Sequence, residues 1–135
     1  MPQYQLQVQA QPEYLPEPSA PGQGMYQFAY TITVTNTGSV AAQLIARHWV
    51  IVDALGHVEE VKGLGVVGQQ PLLRPGQSFQ YSSGCRLRTA SGTMHGSFFC
   101  VAEDGQRFDC PVPLFVLDAS SAPQADPALA QRVLH

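Results

Sequence analysis

Three glycines in residues 63–68 form the pattern Gly63-x-Gly65-x-x-Gly68, which matches the dinucleotide-binding fingerprint as a string of letters. That fingerprint works because a strand leads into a helix whose N-terminal amides hold a pyrophosphate. Here residues 69–71, Gln-Gln-Pro, and a β-type segment follow instead. We therefore interpret the loop as a bulged or looped crossing between sheets, in which glycine supplies positive φ and close backbone approach. Its exposed amides could still bind an anion weakly.

Histidines are the next candidates for chemistry, and His48, His57 and His95 lie within the predicted fold. A zinc or cobalt site needs three or four converging ligands, usually with a close pair such as His-x-x-x-His. The sequence has no such pair, so it predicts no metal site. We interpret His48 as a hydrogen-bonded structural side chain on the face opposite Trp49. His57 follows a turn glycine and should be exposed to solvent.

A hydrolase would need an activated nucleophile or a poised acid and base pair. Ser82 and Ser83 precede a glycine, but the nucleophile elbow Gly-x-Ser-x-Gly is absent. Four carboxylates at the ends of predicted strands are interpreted as solvated turn residues: Glu59, Glu60, Glu103 and Asp104. The sequence therefore predicts no catalytic residue and no cofactor.

Charge and cysteine content indicate which class of partner and which cellular compartment to expect. Seven Lys+Arg against ten Asp+Glu give a net charge of −3 without a run of like charge, so no nucleic-acid partner is expected. No apolar stretch approaches the roughly 18 residues of a membrane helix. Cys85, Cys100 and Cys110 cannot all pair, and no secretory signal begins the chain, so we expect reduced, packed thiols in the cytoplasm. Only 13% of residues are charged, which favours a surface available to another protein.

Apolar side chains recur at every second position, the period of strands with one buried and one solvated face. Strands are predicted at about residues 4–8, 26–35, 42–53, 58–61, 79–81, 94–103 and 107–117. Residues 42–53 are apolar on both faces, which predicts a central strand, whereas Pro111 and Pro113 predict an edge for the last one. Residues 11–23 contain four prolines and are predicted to be a loop.

Seven or so short strands without a long amphipathic helix predict an all-β fold, an immunoglobulin or fibronectin type III-like two-sheet sandwich. A closed barrel is the structural alternative. The predicted core contains Tyr26, Phe28, Tyr30, Ile32, Val34, Trp49, Ile51, Phe79, Tyr81 and Phe99, with Phe98 and Phe99 competing for the inward position. We expect one domain over residues 1–117 and a C-terminal tail over residues 118–135, in which Asp126-Pro127 could cap a short helix.

A set of motifs in fixed order gives a more specific indication. It comprises Arg47-His48-Trp49, Asp53, residues 60–71, Leu73, Pro75-Gly76, Phe79, Tyr81, Ser83-Gly84, Leu87, Thr89, Gly92, Met94, Gly96, residues 102–105 and residues 113–117. From about Tyr4 to Leu117 the chain resembles the ApaG protein family. The tail beyond Leu117 matches nothing in that pattern, and Phe98 stands where the family usually has tyrosine.

The resemblance implies a fibronectin type III-like sandwich in a bacterial cytosolic protein with no established enzymatic activity. Related domains occur in eukaryotic F-box proteins and in a polymerase-delta-interacting protein, where they resemble interaction modules. The bacterial family is also genetically linked to cobalt and magnesium resistance, a label that does not demonstrate an ion site.

The function predicted here is a non-enzymatic module that binds an unidentified protein. The candidate surface is the loop of Gly63, Leu64, Gly65, Val66, Val67 and Gly68, continuing to Pro71 and presenting Leu64, Val66 and Val67. In the structural alternative these side chains turn inward and close one end of the sandwich. The functional alternative is a weak nucleotide or pyrophosphate binder, or an accessory to a hydrolase, acting through the same loop.

Overall fold

The computed structural model describes residues 2–121. Eight strands follow one another: β1 (Leu6–Ala20), β2 (Met25–Asn36), β3 (Ala42–Asp53), β4 (Val58–Leu64), β5 (Leu72–Leu73), β6 (Ser78–Leu87), β7 (Ser91–Ala102) and β8 (Arg107–Asp118). Two short 3₁₀ turns lie at Pro21–Gln23 and Ala119–Ser121. One sheet has the order β1-β2-β6, and the other has the order β4-β3-β7-β8 with β5 also paired to β3. The two-sheet all-β sandwich predicted from the sequence is confirmed.

The core lies between the two sheets, because alternate residues of each strand point inward. Phe28, Ile32 and Val34 of β2 are almost fully buried. Trp49 of β3 is 2% exposed, and its ring lies 5.7 Å from that of Tyr30 across the sandwich. The predicted core residues Tyr26 and Phe79 are only partly buried but pack against this cluster.

The choice of Phe99 for the core is wrong, because Phe98 takes the inward position. Phe98 is 0% exposed and its ring packs 5.8 Å from Trp49, whereas Phe99 lies on the outer face. Met94 and Cys100 are buried on the same face of β7 as Phe98. Residues two apart share a face of a strand, so these neighbours determine the register.

The predicted loop at residues 11–23 is also wrong over most of its length. Strand β1 continues to Ala20 and pairs with β2 from Leu6↔Asn36 to Leu15↔Gln27, with an irregularity before Ala20↔Met25. Proline is tolerated because β1 is an edge strand, where a missing N–H can face away from the ladder. Only residues 21–24 leave the strand.

Strands β3 and β8 occupy the predicted central and edge positions. β4 is longer than expected and runs through Gly63 to Leu64, which pairs with Ala46. β8 ends at Asp118, and the expected helix near Asp126 lies outside the described residues. No helix in the described part of the chain is long and apolar enough to cross a membrane.

The two sides of the sandwich differ. On one side, which we call the closed side, edge strands β1 and β8 lie against each other, and the Cys110 thiol donates a 2.9 Å hydrogen bond to the Leu6 carbonyl. The other side, the open side, is formed by β4 and β5 of one sheet and β6 of the other. The glycine-rich segment lies on the open side, between β4 and β5.

Candidate functional site

The glycine-rich segment forms a small hairpin that projects from the end of β4. Val66 and Gln69 exchange two backbone hydrogen bonds, of 2.8 and 2.9 Å. The two residues between them, Val67 and Gly68, have φ of 45° and 78°. Positive φ at both central positions is the mark of the tight turn that suits a two-residue hairpin. Because β-branched residues rarely adopt this conformation, Val67 is a strained residue at the tip of a turn.

The side chain of Arg47 anchors this hairpin to β3. Its Nη1 donates hydrogen bonds to the carbonyl oxygens of Leu64, at 3.0 Å, and Gly65, at 3.1 Å. Two further bonds reach the Ile45 carbonyl, one of 2.7 Å from the Gly65 amide and one of 2.9 Å from the Gln70 side chain. Four hydrogen bonds therefore hold both arms of the loop against the same strand.

Two of the three glycines allow close packing. A Cβ on Gly63 would lie 2.8 Å from Nη1 of Arg47, so glycine makes room for the guanidinium. A Cβ on Gly65 would collide with the backbone oxygen of Gln69, and Gly65 also has φ of 65°. Gly68 has open space around it and is needed only for its φ of 78°. The glycine spacing is thus explained by a hairpin and an arginine contact.

The three apolar side chains that were expected to be presented together do not share one environment. Leu64 is 75% exposed and Val67 is 54% exposed, as expected for a presented surface. Val66 is 0% exposed and belongs to the core cluster, so the expectation that it is presented is wrong. The hairpin turn separates them, because Val66 points between the sheets while Val67 occupies the tip.

Leu72 extends the exposed surface and was not anticipated. It is 54% exposed and pairs with Gln43 of β3, while Leu73 beside it is buried. Leu64, Val67 and Leu72 together are called the loop patch below. Arg47 was also missed, although its parity with Trp49 two residues away indicated that it points inward.

The loop does not have the architecture of a phosphate-binding turn. In the dinucleotide fingerprint the third glycine opens a helix, and aligned helix amides hold the pyrophosphate. Here Gln69 follows Gly68 and bonds back to Val66, and the chain then enters β5. The candidate residues 63–68 are therefore brought together as a hairpin tip.

The histidines do not converge on a common point. Nε2 of His48 lies 3.3 Å from Oε2 of Glu60, on the outer face of the β4-β3-β7-β8 sheet. His95 lies on β7 and its Nδ1 is buried without a partner among the described residues, whereas His57 is exposed in the β3–β4 turn. Within residues 2–121 no three His, Cys, Asp or Glu side chains are grouped so that they could hold a metal ion.

The serine and cysteine side chains make structural contacts or are buried. The Ser82 hydroxyl lies 2.9 Å from that of Thr31 on the neighbouring strand. All three cysteines are free, and burial raises the thiol pKa to about 12 for Cys85 and Cys100 and to about 11 for Cys110. Thiols with raised pKa are protonated near neutral pH and are poor nucleophiles and metal ligands.

A cleft of about 370 Å³ on the open side was not predicted from the sequence. Its lining residues are Gln23, Gly24, Met25, Ile51, Asp53, His57, Glu59, Arg86, Leu87 and Arg88. Arg86 lies in β6 of one sheet and Arg88 directly follows that strand. Asp53 and Glu59 belong to β3 and β4 of the other sheet. The sequence did not show that these opposite charges line one cleft, because 33 positions separate Asp53 from Arg86.

The chain is similar to a known protein family over most of its length. The pattern of the ApaG domain matches residues 16–102, more than half of the chain. The chain belongs to the ApaG family. The match ends at Ala102, so it includes the whole glycine hairpin, Arg47 and β6.

Individual relatives support the same assignment. The ApaG protein of Acidovorax sp. is 70% identical over 133 residues, which cover 98% of this chain and 97% of the relative. The ApaG protein of Ralstonia nicotianae is 60% identical over 117 residues, covering 87% and 94%. A crystal structure from Bordetella pertussis, named ApaA, has a TM-score of 0.86 at 52% identity and covers 92% of this chain and 98% of that one. These relatives are bacterial and their names state no activity.

Proposed function

We propose that this chain is a non-enzymatic interaction module whose loop patch binds another protein. The observation that carries this proposal is the exposure of Leu64, Val67 and Leu72, which are between 54% and 75% exposed around one hairpin. Large apolar side chains grouped on a surface favour contact with a partner over contact with water.

The rigidity of the loop supports the same function. Arg47 and Gln70 hold the loop to β3, and Val66 inserts into the core beneath it. An anchored loop loses little conformational entropy when it binds, so more of the contact energy appears as affinity. Val67 adds a second argument, because strained residues persist mainly where function requires their position.

The environment of the patch favours a protein over a nucleic acid. The chain carries a net charge of −3, and Lys62 is the charged residue next to Gly63 in the loop sequence. Arg47 directs its guanidinium at backbone carbonyls, where it is not free to bind phosphate. Free cysteines support a cytoplasmic location, since that compartment keeps thiols reduced.

The experiment compares single exposed leucines. Leu64→Asp alters the loop patch, and Leu55→Asp is the matched control, because Leu55 is 85% exposed in the β3–β4 turn at the other end of β4. Proteins captured from a lysate by wild type and by Leu55→Asp, but not by Leu64→Asp, are purified and measured by calorimetry. We expect Leu64→Asp to weaken binding by about 30-fold, as for a hot-spot residue. Equal affinity of the two variants would exclude the loop patch.

The alternative function is weak binding of a nucleotide or pyrophosphate by the loop amides. The amides of Val67 and Gly68 at the turn tip are its strongest support, since exposed amides can bind anions. Its weakness is the lack of a helix N-terminus after Gly68. NMR titration with ATP, NAD and a dinucleoside polyphosphate distinguishes the two proposals. Saturable amide shifts in residues 63–68 below about 1 mM would favour the nucleotide.

A further inference from the structure

Strand edges are the second type of surface through which a β-sandwich can bind another chain. An edge strand presents unpaired N–H and C=O groups, and natural proteins protect such edges with proline, charge, bulges or short length. This sandwich has edges at β1 and β6 in one sheet and at β4 and β8 in the other, with β5 beside β4. The four edges are not protected equally.

Three of the edges carry recognisable protection. β1 contains Pro12, Pro16 and Pro18 and has an irregular register after Leu15. β8 contains Pro111 and Pro113, and its register with β7 shifts between Met94 and Gly96. β4 is only seven residues long and carries three charged side chains, Glu59, Glu60 and Lys62.

Strand β6 is the least protected of the four edges, because its single charged side chain, Arg86, lies near its C-terminal end. It is ten residues long, contains no proline, and pairs with β2 in unbroken register from Ser78↔Thr35 to Leu87↔Tyr26. Its residues 78–85 carry no charged side chain. Among the described residues, β2 is the single strand that pairs with it. Alternate residues of β6 therefore direct their N–H and C=O groups to a free edge.

We infer that this edge pairs with β6 of a second copy of the chain, antiparallel and about a two-fold axis. Such an interface requires that the strand be complementary to itself. An axis through Ser82 places Gln80 opposite Gly84 of the other copy and Arg86 opposite Ser78 of the other copy. Opposed like charges would destabilise such a pairing, and in this register none lie opposite each other along the strand.

The outer face of the same sheet is compatible with this pairing. Hydroxyl groups pair across β2 and β6 at Thr31 and Ser82, 2.9 Å apart, and at Thr35 and Ser78, 2.7 Å apart. Joining two copies would continue this uncharged polar face over a six-stranded sheet, three strands from each copy. Because edge pairing buries little area, the dimer should be weak and dependent on concentration.

Analytical ultracentrifugation of the full chain between about 10 µM and 1 mM tests the inference. We expect wild type to pass from the mass of one chain to that of two. In Ser82→Lys the substituted side chain of one copy would face its counterpart, so the dissociation constant should rise at least about fivefold. Thr31→Lys is the matched control, because it removes the same Thr31–Ser82 hydrogen bond on the same face but lies one strand from the edge.

A charge-swap experiment adds specificity. An equimolar mixture of Ser82→Lys and Ser82→Glu should restore a dimer at concentrations where Ser82→Lys alone is monomeric, because opposite charges now face each other. Thermal unfolding of each variant checks that the domain is folded. A wild-type protein that stays monomeric at 1 mM, or a folded Ser82→Lys variant that dimerises as tightly as wild type, would overturn the inference. Both results would direct attention to another occupant of the β6 edge.

Discussion

The closed and open sides of the sandwich differ in how their strand edges and turns are built. On the closed side, β1 and β8 lie against each other and both contain proline. The Cys110 thiol bonds the neighbouring strand, and the Tyr4 phenol bonds Asp104 in the β7–β8 turn. On the open side, a strained hairpin presents apolar side chains, charges line a cleft, and β6 has little protection. The open side thus combines the strained turn, the charged cleft and the least protected strand edge.

The two sides also differ in the backbone strain of their turns. The β7–β8 turn belongs to the closed side, and its positive φ of 90° falls on Gly105, which adopts this conformation without strain. The β4–β5 hairpin of the open side places a positive φ on Val67 as well as on Gly68. The β7–β8 turn therefore has no strained residue at this position, whereas the β4–β5 turn holds Val67 in a strained conformation.

The largest effect is expected at Val66, the point where the open-side loop enters the core. Val66 is 0% exposed, so Val66→Asp would bury an unpaired carboxylate and lower the free energy of unfolding by at least about 4 kcal/mol. Val67→Asp is the matched control, because Val67 is the adjacent valine and is 54% exposed. Urea unfolding followed by circular dichroism measures both. If the Val66 variant lost less than about 1 kcal/mol, the loop would not depend on this anchor.

Alkaline pH should destabilise the fold through cysteines with a raised pKa on both sides of the sandwich. Cys110 on the closed side is 1% exposed, and burial raises its pKa to about 11. An unfolded thiol has a pKa near 8.5, so the stability from Cys110 is complete below about pH 8.5 and is lost as the pH rises toward 11. One pH unit within this window lowers the free energy of unfolding by about 1.4 kcal/mol.

The measurement is the change in unfolding free energy between pH 8 and pH 10. Cys110→Ala should lose less stability over this interval than wild type, by on the order of 1–2 kcal/mol. Cys85→Ala on the open side should reduce the loss by a similar amount, because burial also raises the Cys85 pKa, to about 12. Identical pH dependence in wild type and Cys110→Ala would show that the closed side does not protect this thiol.

A gain of stability is expected from relieving the strain in the open-side turn. Val67→Asn keeps the turn but replaces a β-branched residue with one that tolerates positive φ, so the free energy of unfolding should rise by about 1 kcal/mol. Gly68→Ala is the opposite case, since it introduces strain at φ of 78° without a steric contact. Thermal unfolding of both variants gives the signs. A destabilised Val67→Asn would show that the side chain, and not the backbone, determines this position.

Much of this architecture was predictable because the two faces of a strand experience different environments. Residues 26–34 showed that difference in their alternation, and residues 42–53 were predicted as a central strand because both of their faces are apolar. Strands β2 and β3 were therefore predicted close to their observed bounds. The prediction of a loop at residues 11–20 was wrong because the effect of proline depends on whether a strand lies at an edge, which is a property of the topology. The choice of Phe99 over Phe98 for the core was wrong for a similar reason, since neighbouring strands set the register of β7.

The candidate site was predicted as a segment but not as a geometry. Glycine spacing located residues 63–68, yet it could not separate buried Val66 from exposed Val67, because it does not show that the turn begins at Val67. The anchor, Arg47, lies 17 positions from Leu64, and only the pairing of β3 with β4 brings them together. The exposed β6 edge has no sequence signal of its own, because the lack of protection has meaning only for a strand at an edge.

The smallest effect is expected on the closed side, where Tyr4 joins the start of the chain to the β7–β8 turn. The Tyr4 hydroxyl donates a 2.5 Å hydrogen bond to Oδ2 of Asp104, which lowers the pKa of that carboxyl. A folded-state pKa below the unfolded value means that this stability is present above about pH 3.9 and is lost as the pH falls through the lower folded value. Both groups are exposed, so the effect should be small. Tyr4→Phe should therefore lower the Tm slightly at pH 6 and leave it unchanged near pH 2, whereas an equal deficit at both pH values would assign the effect to the packing of the Tyr4 ring on Phe108, 5.9 Å away.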